Sequence, residues 1–145
     1  MPMDASILGF SNRWYPQLVE HARTHSLHDG SSVLVASPPY LVATKLEAYA
    51  DRGAADMRLS HDLEDVIILF DGRPELVGEI LSAPRSVRTW IREATRRLLE
   101  SHTFREALVG HLPPDAASQA RAPEVIRRMR VVAELEANGE DSVHD

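Results

Sequence analysis

The chain has 145 residues, a net charge of −6 and no cysteine. That length suits one domain able to bury a sizeable core. The lack of cysteine excludes a disulfide framework and a thiolate metal site, and the acidic balance argues against a generic nucleic-acid binder. The longest apolar run, Val66-Ile67-Ile68-Leu69-Phe70, falls far short of the ~18 residues of a membrane span. The opening "MPMDASILGF" has no basic stretch followed by a long apolar one, so no secretory signal is read. The expectation is a cytoplasmic protein that does not enter a membrane.

In chain order, "SILGF" reads as a strand end or a loop. Asn12 can cap a helix to about His25, with Trp14, Leu18, Ala22 and His25 on one face. Asp29-Gly30 is the strongest turn dipeptide, and "SSVLVAS", centred on Val33-Leu34-Val35, is the best strand. Ser37-Pro38-Pro39 starts a helix that runs to about Asp51, because proline in the first turn gives up only an unbonded amide. Arg52-Gly53-Ala54-Ala55 breaks it. A third helix begins between Ser60 and Asp62 and ends at Asp71-Gly72, with Gly72 as a left-handed terminator. Residues 74–82 predict a short helix.

The fifth helix is the clearest, from about Pro84 to Ser101, with Val87, Trp90, Ile91, Ala94 and Leu98 at helical spacing. Phe104 to Gly110 adds a turn or two, and "GHLPPDAASQ" reads as a loop. A last helix from about Ala122 to Ala137 buries Val125, Ile126, Met129, Val132 and Ala133. Residues 138–145 read as a disordered acidic tail, leaving 1–137 as one domain. The fold class is α+β and predominantly helical, with one or two short strands. Val33-Leu34-Val35 would then present an open sheet edge, which predicts self-association into a homo-oligomer.

Lys45 is the only lysine; the other fifteen basic residues are arginine. On a helix it shares its face with Leu41, Val42, Ala48 and Tyr49, all apolar or aromatic. Such a charge either carries its amine out to water beside an acidic neighbour such as Glu47, or points it at an anion in a polar recess. A phosphate is one such anion, since a lysine is a compact point charge. Asp62 and Asp65 lie three apart at a helix start, where Asp62 can cap and Asp65 can return the bond.

The stretch "KLEAYADRGAADMRLSHDLEDVIILFDGRPEL" resembles the AbiE-type (AbiEii) nucleotidyltransferase toxin family, within the minimal nucleotidyltransferase superfamily. The matching motifs are K-x-x-A, here Lys45 to Ala48, and D-x-x-D, here Asp62 to Asp65. The flanks "MPMDASILGFSNRWY" and "GHLPPDAASQARAPEV" extend the likeness to about residue 130. The resemblance implies transfer of a nucleotidyl group from a nucleoside triphosphate (NTP) to an RNA or protein acceptor, in a toxin–antitoxin or phage-defence setting with an antitoxin partner. It implies that Lys45 neutralises triphosphate charge, that Asp62 holds Lys45 or the nucleotide in place and Asp65 supports the same helix start, these three being the catalytic residues, and that Arg52 and His61 assist nucleotide binding. It also implies magnesium. The likeness covers only the C-terminal part of the family: the Gly-Ser turn and D-x-D pair that carry Mg2+ are missing, as Gly30-Ser31-Ser32 runs into a hydrophobic strand. As given, the chain is therefore expected to lack the metal-binding half, and a non-catalytic remnant or interaction module is the alternative.

Further constellations are weaker. His28-Asp29 and His61-Asp62 are HD dipeptides of the kind used by metal-dependent phosphohydrolases. His21 and His25 are spaced as a possible zinc pair on a helix, without an evident third ligand. Arg85, Arg88, Arg92 and Arg96 form a basic stripe beside the apolar stripe of the fifth helix. It is either a solvated face or a contact surface for an RNA backbone.

Overall fold

The computed structural model describes residues 12–51 and 56–142, with side chains described to Glu134. The residues of "SILGF" and the segment 52–55 with Arg52 lie outside the described residues. The chain begins with α1 (Tyr15–Glu20) and the strands β1 (Arg23–Ser26) and β2 (Ser32–Val35). Helix α2 (Pro38–Asp51), a 3₁₀ turn (Met57–Leu59) and α3 (His61–Gly72) follow. Then come α4 (Leu76–Leu81), α5 (Arg85–Glu100), α6 (His102–His111), α7 (Ala116–Gln119) and α8 (Ala122–Ser142). This is the expected predominantly helical α+β fold.

The first helix is shorter than its periodicity predicts. It ends at Glu20, and His25 lies on a strand. The competing structure is a hairpin, in which β1 pairs antiparallel with β2 from Arg23↔Val35 to Ser26↔Ser32. Its turn is specified locally. The Gly30 amide bonds the Leu27 carbonyl, Asp29 Oδ1 accepts from the Ser31 amide at 2.9 Å, and Gly30 supplies φ +90°. That is the glycine a hairpin with a left-handed residue demands. The β2 strand therefore has a partner within the chain, and the predicted unpaired Val33-Leu34-Val35 is corrected to half of a two-stranded sheet. Every residue of both strands is exposed.

The core lies among the helices. α2 packs on α3 and α5, and α5 packs on α8. Phe70, Phe104, Leu63, Ile67, Ile91 and Met129 are fully buried where these faces meet. Of the predicted apolar stripes, Val87, Ile91 and Leu98 of α5 are buried, as are Val125, Met129, Val132 and Ala133 of α8. Trp90, Ala94 and Ile126 pack partly buried at the rim of the core.

Three local expectations change. Gly72 is the last residue of α3 rather than a left-handed terminator; the cap is Arg73, with φ −126°. The reason is tertiary: Arg128 of α8 donates to the Phe70 and Asp71 carbonyls at 2.8 and 3.1 Å, satisfying the helix end from outside. The proline loop contains α7, capped by Asp115, whose carboxylate accepts from the Ser118 amide at 2.8 Å and hydroxyl at 2.7 Å. Finally, α8 runs to Ser142, past the Ala137 at which its periodicity was expected to end it. Gly139 costs a helix interior only about 1 kcal/mol, and no proline follows to stop it.

Candidate functional site

Lys45 is placed by α2 and the two aspartates by α3. Pro38 and Pro39 open α2, and the Ser37 carbonyl accepts the first helical bond from Leu41. Residues Val42, Leu46 and Tyr49 then bury against the core, carrying Lys45 along the flank that meets α3. At the start of α3 the cap is Ser60, not Asp62. The Ser60 hydroxyl accepts from the Leu63 amide at 3.1 Å, and its carbonyl accepts from Glu64. The expected capping box of Asp62 and Asp65 is thereby corrected, because serine at the preceding position takes that role. Both aspartates lie inside the first turns of the helix, where the dipole favours negative charge.

The structure brings the three side chains together. Lys45 Nζ lies 2.8 Å from Asp65 Oδ2 and 3.9 Å from Asp62 Oδ1. The lysine side chain is 32% exposed, Asp62 10% and Asp65 43%, so the cluster grades from core to water. Glu47 is not the partner of Lys45; it faces Arg13 at 3.5 Å. His61 is exposed at the surface and its ring lies 3.6 Å from Glu64. Arg52 lies outside the described residues.

Magnesium, implied by the family resemblance, does not fit this donor set. Among the described residues no group of three or more His, Asp or Glu side chains converges to hold a metal ion. The two carboxylates that could begin such a group already face an ammonium. The histidine pairs fare no better. His21 stacks on Tyr40 at 4.7 Å and lies against the Gln17 carbonyl, while His25 is exposed on β1, so the helical spacing that would join them is gone. Asp29 of the first HD dipeptide is consumed by Ser31, whose hydroxyl and amide hold its carboxyl below the usual range.

The arginine stripe is uneven. Arg85 and Arg96 are exposed, whereas Arg88 and Arg92 are half-buried. Arg92 is only 12% exposed and meets Glu93 at 3.2 Å, and Arg96 meets the same carboxylate at 2.7 Å. A stripe read from spacing alone overlooks Glu93, which neutralises part of it.

Two features went unnoticed in the sequence. The His111 ring is largely covered; its Nε2 lies 2.7 Å from the Met57 carbonyl and its Nδ1 3.8 Å from Glu64, tying α6 to the 3₁₀ turn and α3. A cavity of about 640 Å3 opens between α2 and α5, and Lys45, Asp62 and Asp65 are not among its lining residues. Only the aromatic side chains Tyr49 and Trp90 hinted at it, and both had been assigned to the apolar faces of their helices. No helix of the described residues is long and apolar enough to cross a membrane. Comparison of the chain with protein-family models, with curated proteins and with solved structures finds no match.

Proposed function

We propose that the chain is nucleotidyltransferase-like and carries the triphosphate-facing lysine of such a site, serving transfer of a nucleotidyl group to an RNA or protein acceptor. The observation that supports this is the Lys45 ammonium suspended between Asp62 and Asp65 at the junction of two helices. The division of labour follows from exposure. Asp62, nearly buried, fixes the amine. Asp65, the more exposed acid, is the one that yields when a phosphate arrives. An exposed ion pair contributes about 0–1 kcal/mol, so exchanging it for a phosphate oxygen costs little. Arg85 and Arg96, the exposed members of the stripe, are the candidates for an RNA acceptor's backbone.

The test is equilibrium binding of a labelled nucleoside triphosphate to the full chain, with and without magnesium. Lys45→Ala is expected to weaken binding at least tenfold, and Asp65→Asn to strengthen it by freeing the amine. Equal binding by wild type and Lys45→Ala would reject the reading. The competing proposal is a non-catalytic interaction module. It is favoured by the same cluster seen as a closed one, with the lysine charge already matched by its own carboxylates. No triphosphate binding in either buffer would select it.

A further inference from the structure

The cavity between α2 and α5 is built for something other than a triphosphate. Its walls are Leu46 and Tyr49 of α2 and Trp90, Ala94 and Leu98 of α5. At about 640 Å3 it lies within the range of small-molecule sites, which pair a mostly apolar lining with a few placed polar groups. Among the described residues the charged lining side chains are Arg13, Glu93 and Arg97. Glu93 is occupied by Arg92 and Arg96. Arg13 is paired with Glu47, and its guanidinium lies 5.1 Å from the centroids of both Trp14 and Trp90, closing one end of the aromatic wall. Arg97 is exposed and has no ion-pair partner among the described residues. Tyr49 is 7% exposed, and its buried hydroxyl has no hydrogen-bond partner among the described residues. A buried hydroxyl in that condition is costly unless something supplies a partner.

We infer that this cavity binds a small planar aromatic acid, its ring against Trp90 and Leu46 and its anionic group at the Arg97 guanidinium. The ring matches the apolar wall. The acid matches Arg97, the guanidinium among the described lining residues that no described carboxylate neutralises. Lys45 and the two aspartates take no part, so the inference does not depend on the nucleotidyl-transfer reading.

The test uses 8-anilino-1-naphthalenesulfonate on the full chain, with dye emission and tryptophan-to-dye energy transfer as readouts. Saturable binding of one dye per chain is expected. Ala94→Trp and, independently, Ala50→Trp, at a further lining residue of α2, fill the cavity and should each weaken binding by more than tenfold while the far-ultraviolet circular dichroism is unchanged. Arg97→Gln should weaken the sulfonate about two- to fivefold, as an exposed charge pair would. It should leave the uncharged analogue N-phenyl-1-naphthylamine unaffected. Leu34→Ser, on the exposed hairpin, should change nothing. No saturable binding, binding that survives whichever filling variant folds, binding lost with Leu34→Ser, or equal effects of Arg97→Gln on both dyes would each overturn the assignment.

Discussion

The β1–β2 hairpin and the helical body are stabilised by different physics. All the hairpin's strand residues are exposed, including Val33, Leu34 and Val35. It is held by its ladder, by the Asp29–Ser31 contacts and by one glycine with positive φ. The body is held by burial: Phe70, Ile67, Ile91 and Met129 lose essentially all contact with water. A lone hairpin in water is marginal, whereas a packed helical core is not. β-branched residues in a strand are therefore no guide to where a protein keeps its stability.

The sharpest way to break this contrast is by truncation. Phe70→Ala should cost about 3–5 kcal/mol, and Leu34→Ala should stay within about 0.5 kcal/mol, both read from denaturant midpoints. A large loss at Leu34 would mean that the hairpin is covered in solution, as the expected self-association requires, and light scattering would reveal the partner copy. Next in size is Lys45→Ala, at about 1–2 kcal/mol, since it removes the cation that the two carboxylates share at the α2–α3 junction. Asp65→Asn should cost less, because that carboxylate is the more exposed of the two. Gly30→Ala forces a side chain into the left-handed region at a cost of about 1 kcal/mol. Hydrogen exchange should speed up at the hairpin amides and leave those of α3 and α5 unchanged.

The smallest effect is acid sensitivity. The Glu124 carboxyl is held down from 4.5 to about 2, first by its hydrogen bonds from Arg127 and then by the charges of Arg127 and Arg128. A lowered carboxylate stabilises the fold above its unfolded value, and that contribution fades as pH falls from about 4.5 toward about 2. Glu124→Gln should flatten the stability profile of the body in that window. Asp29, lowered by Ser31, gives the hairpin a dependence of the same sign, which Asp29→Asn should remove. At the alkaline end, burial followed by the charge of Asp56 raises the Tyr49 phenol above 10, so its contribution is present below that value and is lost as pH rises through the raised one.

Much of the body was legible because helical periodicity and capping chemistry are local. Pro38-Pro39 and the Val87–Leu98 stripe each specify their helix without distant help, and the start of α3 was legible although its cap, read at Asp62, falls on Ser60. The hairpin was half legible. Asp29-Gly30 and Val33-Leu34-Val35 gave the turn and one strand, but "RTHS" carries only Thr24 as a β-branched residue, and its pairing partner decides its state. Gly72 misled because Arg128, 56 residues away in sequence, does the capping work a left-handed glycine would otherwise do. At the candidate site, spacing placed Asp62 and Asp65 on one face, and helix packing placed Lys45 against them. Glu93, three residues before Arg96 on the same helix, was legible as a neutralising partner and was overlooked, whereas the cavity bordered by Tyr49 and Trp90 depends on how α2 and α5 meet.

A sequence with a single lysine gives the candidate site its own spectroscopic label. Reductive methylation with isotopically enriched formaldehyde adds dimethyl groups at one ε-amine, so its methyl resonance follows Lys45 without overlap from another side chain. Its chemical shift through a titration would report whether Asp65 holds the amine or has let it go.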